Sequence, residues 1–264
     1  MSTDPKDIVG KPTNNAISLV GDRFTALTMD QRELGATLAE NLSGESLGAS
    51  DFTRIKVPGA GGTTWEYDDI EGEVKTDELV GIIVWQNYQR AYWKDAFSGG
   101  SVQPDCYSKD NTVGVGIPGD DLAAQGKGCD QCPMAEFGTA TDQAGKAGAG
   151  QACKLTKRLF LLPENGLLPW LIVAPPASLK GMKKYLTTLT GRNLPYSSVV
   201  TRLKLERTKN SGGIQYSHIV PTVAGVLSPE HAAQIRAYAQ RLRPVLDANS
   251  VVDIAADTAA ASGQ

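Results

Sequence analysis

Histidine is nearly missing from this chain, which has His218 and His231 and no other in 264 residues. Two imidazoles so far along the chain from its cysteines make poor metal ligands, and a surface or hydrogen-bonded role suits each better. No GxxxxGK[ST] loop, no GxGxxG after a strand, no GxSxG elbow and no HExxH occurs. The common phosphate-cradling, dinucleotide, hydrolase and zinc-protease signatures are therefore excluded. Long apolar runs are missing too. "LVGIIVW" and "WLIVAPP" fall far short of a bilayer span, so no membrane partner is expected. The start, "MSTDPKDIVGKPTNN", has no apolar core of a secretory signal. The expected location is the cytoplasm, or the host cytoplasm for a viral protein. Acidic pairs such as Asp68-Asp69 and Asp120-Asp121 are adjacent in sequence and diverge if extended, which does not suit a two-metal nuclease. The chain is not expected to be an enzyme.

Basic residues are missing from the last 18 positions, which carry three Asp, and this is one part of a strong asymmetry. Residues 1–105 hold 9 basic and 17 acidic side chains, and residues 106–152 hold 3 and 6. Residues 153–246 hold 14 basic and 3 acidic, a net +11 that the overall -3 conceals. Such a segment reads as a surface for a polyanion. Pairing of the basic half with the acidic half is the alternative.

Periodicity divides the chain into an N-terminal arm and helix over 1–50, a main domain over 51–246 and a mobile, mildly acidic tail over 247–264. Thr28 reads as the N-cap of a helix over "MDQRELGATLAENL", closed by Gly44. "FTRIKV" and "TTWEY" flank "PGAGG" as a hairpin, and an acidic connection leads to one long strand over 79–94. "KRLFLLP" and "PWLIVAP" are further strands. Ser178 is expected to cap a basic helix closed by Gly191. "SSVVTRLKLERT" and "GIQYSHIVPTV" form a hairpin around "KNSGG". Ser228-Pro229 opens a last helix that Pro244 should stop. This order, three strands, a helix and two strands, gives a mainly β fold with flanking helices, an α+β chain. An OB-like barrel or a mixed α+β sheet would carry it.

The insertion at about 98–153 has 11 glycines in residues 98–152 and no sustained period, and it holds all four cysteines. Cys129 and Cys132 form a CxxC knuckle whose turn Gly126 and Gly128 allow. Cys106 and Cys153 flank it at nearly equal distances. In a reducing compartment, four thiols with this spacing suit a tetrahedral structural Zn2+ with no open position. An iron–sulfur cluster, a redox pair or unliganded thiols remain open.

One face of the long strand presents Gln86, Tyr88, Arg90, Tyr92 and Lys94, aromatic and basic groups alternating at two-residue spacing. Bases could stack there while phosphates meet cations; half-buried core tyrosines are the alternative. Lys154, Lys157 and Arg158 follow the last cysteine, Lys180, Lys183 and Lys184 share a helix, and Arg202 and Lys204 share a strand. All are candidate phosphate contacts without base readout.

The order of strands, Cys106, "CDQC" at 129–132, Cys153 and the strand "VWQNYQRAYWK" resemble the zinc-containing single-stranded DNA-binding proteins of bacteriophages. The resemblance spans residues 51–246. It implies an OB fold with a cysteine-rich zinc lobe that coats single-stranded DNA, or RNA, in replication or recombination without sequence specificity or catalysis. Replication or recombination proteins would dock on the C-terminal tail. Two other classes remain: a zinc-stabilised structural or protein-interaction module of a virus or its host, and a metal-dependent nucleic-acid enzyme.

Overall fold

Helix α1 (Thr25–Thr28) and helix α2 (Gln31–Asn41) lead into the sheet. The structure, a computed structural model, describes residues 23–28, 31–43, 45–48, 51–95, 103–116, 128–141, 147–210, 213–248 and 254–255. The N-terminal arm, Gly44, Gly126 and most of the C-terminal tail lie outside them. Within the tail, Ile254 and Ala255 are buried. Thr28 is the last residue of α1.

The first hairpin is not the one expected. Strand β1 (Arg54–Ile55) runs parallel to β7 (Trp170–Ala174), with Arg54 opposite Leu171. Strand β2 (Trp65–Asp69) pairs with β3 (Gly72–Thr76), which lies inside the segment that reads as an acidic connection. Only Val74 is apolar in β3, and no residue of it is buried, so there was no hydrophobic alternation to reveal it. Gly72 makes the turn at φ +113°, a conformation that suits glycine.

The longest strand, β4 (Glu78–Tyr92), organises the rest. One edge pairs with β6 (Lys154–Pro163) from Gly81 to Ala91. The other edge is shared. Glu78 to Ile82 pair with β8 (Val199–Lys209), and Arg90 to Tyr92 pair with short β5 (Cys106–Ser108). Strand β9 (Gln215–Val226) completes the hairpin with β8 as expected. The sheet order is β1-β7-β6-β4-β8-β9, with β5 on β4, and the sheet curls into a half-barrel. Helix α3 (Pro176–Gly191) joins β7 to β8, and α4 (Pro229–Asp247) follows β9. The chain is mostly β with a few helices, an α+β fold.

Both faces of the sheet are covered, which is why "KRLFLLP" reads as a continuous apolar run. From β6, Leu159 and Leu161 turn to one side with Ile83, Ile172, Leu203 and Met182 of α3. Phe160 and Leu162 turn to the other with Ile82, Val84, Phe52 and Ile235 and Tyr238 of α4. Each of these fully buried side chains contributes roughly 1.5–3 kcal/mol.

Ser178 lies inside α3, which starts at Pro176 with Pro175 as its N-cap, and it is fully buried. Its Oγ accepts the Ile219 N–H at 2.9 Å. A donor of edge strand β9 is thereby satisfied by the helix that packs on it. Ser228 does cap α4, its Oγ accepting from the His231 N–H at 3.2 Å. Pro244 does not stop this helix, which continues to Asp247 and buries Leu246 completely. Burial of Leu246 offsets the one backbone bond that proline cannot make. Among the described residues no helix is long and apolar enough to cross a membrane.

Candidate nucleic-acid interface and cysteine cluster

Register places Tyr88 opposite Lys157 and Arg90 opposite Leu155 across β4 and β6. This is the end of the sheet where the chain leaves β5 and returns at Cys153, so the inserted lobe rises beside the Tyr88 face. Helix α3 starts on the far side. Between the three lies a groove of about 560 Å³. The sheet contributes Tyr88, Lys154 and Leu155; the lobe contributes Asn111, Phe137, Gly150 and Gln151; the helix contributes Pro176, Leu179, Lys180 and Lys183. Three lysines and two aromatic rings line it, and among the described residues no carboxylate does.

Four of the expected contacts, Tyr88, Lys154, Lys180 and Lys183, thus meet in one place. Phe137 was missed. It is 81% exposed, and it is the one aromatic residue in the glycine-rich stretch 126–152, which was the available signal. Lys184 is exposed on α3, outside the groove lining. Tyr92 is half-buried and Lys94 exposed beyond the end of β4, and neither lines the groove.

Five expected cations make contacts of other kinds. Arg90 is buried; its Nε donates to Asn111 Oδ1 and its Nη1 to the Cys153 carbonyl at 3.1 Å. From this buried position it ties the lobe to β4. Arg158 is fully buried on the α4 side, donating to the Leu246 carbonyl at 3.2 Å and lying 4.8 Å from the Phe160 ring centroid. Alternation along β6 turns it away from the Tyr88 face. Arg202 and Lys204 both pair with Glu78, at 3.1 and 3.2 Å. They sit near the other end of β4, where Val80 faces Arg202, roughly 25 Å along the strand from Tyr88. Lys157 is 4% exposed beneath Tyr88, so it supports the ring and cannot reach out as a free cation.

Backbone bonds fix all four cysteines. Cys106 opens β5 opposite Tyr92. The Cys129 N–H donates to the Thr112 carbonyl at 2.8 Å, and the Gln131 N–H closes the knuckle onto Gly128 at 3.0 Å. Cys132 precedes a 3₁₀ turn, Pro133–Ala135, and the Cys153 N–H donates to Met134 at 2.7 Å. A Cβ at Gly128 would press on the Asp130 carboxylate, a side-chain end that can swing aside. All four thiols are free of disulfides and line one cavity of about 20 Å³ together with Arg90.

Comparison with protein-family models, curated proteins and solved structures finds no match to this chain.

The donor set fits a soft or borderline cation. Burial pushes the Cys106 thiol up to about 11, with Cys129, Cys132 and Asp105 adding to it. Burial pushes Cys153 up to about 12, against the opposing effect of Arg90. Thiols that raise one another's pKa in this way become thiolates together only when a cation sits among them. About 20 Å³ between the four thiols is room for a single ion. Among the described residues, no three Cys, His, Asp or Glu side chains form a finished metal-ligand group. The fold brings four thiols to one cavity, and closing the shell would fall to the ion.

A second groove, about 980 Å³, lies at the opposite end of the sheet and has a different character. Asp51, Asp69, Glu78 and Glu164 line it beside Arg23 and Arg202, which are ion-paired to Glu164 and Glu78. It is the larger cavity but is poorly suited to a polyanion.

Proposed function

We propose that this chain is a single-stranded DNA-binding protein that coats replication or recombination intermediates without catalysis, braced by a structural Zn2+. The observation that carries this reading is the groove that gathers Tyr88, Phe137, Lys154, Lys180 and Lys183, with no carboxylate in its lining among the described residues. Ammonium groups meet backbone phosphates, and exposed ring faces stack on bases that a duplex would keep paired. Among the described residues nothing in that lining offers the convergent carboxylates a two-metal nuclease needs, which supports binding without a chemical step.

Cys106, Cys129, Cys132 and Cys153 would hold the zinc. Four thiolates fill its tetrahedron, so when bound it supplies structural cross-linking and no activated water. The nearby Arg90 offsets part of the negative charge of such a site. An OB-like barrel is supported by the strand order. Strands β4, β6 and β7 form a meander, α3 follows, and β8 returns beside β4 with β9 on its outer edge.

A protein-interaction module is the second reading, favoured by Glu78, which joins Arg202 and Lys204 and so neutralises part of the basic segment within the fold. The two readings separate in one titration of labelled oligo-dT, followed by fluorescence anisotropy at two salt concentrations with duplex as competitor. Tight, salt-weakened binding that duplex competes for poorly supports the coating protein. No binding at low salt leaves the interaction module as the function.

A further inference from the structure

Two amide side chains on the lobe wall of the groove, Asn111 and Gln151, have fixed orientations, and the chemistry of their partners fixes them. A guanidinium N–H can only donate, so the Asn111 atom that meets Arg90 Nε must be its oxygen, Oδ1. A carbonyl can only accept, so the Gln151 atom that meets the Ala135 carbonyl must be its nitrogen, Nε2. What remains of each amide is the opposite group: the Nδ2 donors of Asn111 and the Oε1 acceptor of Gln151. Neither atom has a hydrogen-bond partner among the described residues, and both residues line the groove.

Their positions are held from behind. Asn111 sits at φ +65°, a left-handed conformation that asparagine tolerates better than most residues, and its anchor Arg90 is itself bonded to Cys153. Gln151 pairs with Phe137 in an isolated antiparallel bridge. The exposed ring of Phe137 and one fixed acceptor therefore move as a unit. A fixed donor and a fixed acceptor beside aromatic rings are what is needed to tell the hydrogen-bonding edge of one unpaired base from another.

We infer that Asn111 and Gln151 give the groove a base preference at one nucleotide position. This rests on the single-strand reading above and refines its lack of sequence readout. Phosphate contacts by the lysines would be indifferent to sequence, while this amide pair would favour the base whose edge offers an acceptor to Asn111 and a donor to Gln151.

The test is a set of affinities for oligo-dT, oligo-dC and oligo-dA of equal length, read as ratios. The wild type should separate its best and worst homopolymer by about 5–10-fold, the scale of one good edge contact. Asn111→Asp keeps the oxygen that Arg90 needs and replaces the donor with an acceptor. It should change the ratios by at least about threefold. Any loss from added negative charge is common to all three strands and cancels in the ratio. Lys180→Ala should weaken all three alike and leave the ratios unchanged. Equal binding of the three homopolymers, or ratios untouched by Asn111→Asp while binding persists, overturns the base preference and leaves the coating reading standing. Failure of all three strands to bind overturns both. Gln151→Met, which removes the acceptor without adding charge, checks the result from the other amide and should also move the ratios.

Discussion

The Lys157 ammonium lies 3.8 Å from the centroid of the Tyr88 ring, the two residues facing each other across β4 and β6. A cation against the electron-rich ring face is attractive, and it leaves the opposite face of the ring as the one available for a base. Burial draws the Lys157 pKa down to about 8, below the ordinary lysine value.

That shift has a sign. Below about pH 8 the lysine is protonated in both folded and unfolded chains, and the penalty for burying its charge is fully present. As pH rises from about 8 towards the unfolded value near 10.4, the unfolded chain binds more protons than the folded one, so folding stability rises. Lys157→Met removes the charge and keeps the apolar stem. It should stabilise the protein most near neutral pH, with the advantage shrinking by pH 10. Melting curves of the two proteins over that range check this, and parallel curves would refute it.

Zinc content by atomic emission should be one equivalent per chain for the wild type and well under half for Cys129→Ser after dialysis. Because burial holds Cys106 and Cys153 protonated at neutral pH, binding must release protons, so zinc affinity should climb steeply as pH rises. Competition with a chromophoric chelator at three pH values measures the slope. A pH-independent affinity would argue against thiolate ligation.

Arg90 joins the lobe to the sheet through two bonds made from one planar group. Arg90→Lys cannot reproduce both, since an ammonium is a point donor without the guanidinium fork. The variant should lose about 2–4 kcal/mol in urea unfolding, a scale set by buried hydrogen bonds to charged groups. Wild-type stability would contradict the tethering role.

Phe137→Ala should weaken oligo-dT binding by about 10-fold, within the range for loss of one stacked base, with an unchanged melting temperature because the ring is exposed. Arg202→Ala, in the groove at the other end of the sheet, should stay within about twofold of wild type. Anisotropy and thermal melting on the same preparations compare the two directly.

Much of this arrangement can be read from the chain, and the limits have physical reasons. The knuckle at Cys129 and Cys132, the β8–β9 hairpin and the Ser228 cap are local patterns with local causes. Strand β3 was invisible because neither of its faces is buried. The roles of Arg90, Arg158, Arg202 and Lys204 were not legible, since a cation's partner is chosen by tertiary structure: Cys153, Leu246 and Glu78 are distant in sequence. Spacing alone gave a strand face with Tyr88 on it. Only the fold brings Phe137 and α3 to that face.

The most direct measurement of the central claim is the salt dependence of oligo-dT affinity for wild type and for the double variant Lys180→Ala, Lys183→Ala. On a single strand each phosphate contact contributes about 0.7 to the slope of log affinity against log salt. A wild-type slope reduced by roughly 1.4 in the variant, with folding intact, is the expected result. An unchanged slope and affinity, or no binding by the wild type at low salt, would contradict the assignment of this groove to single-stranded nucleic acid.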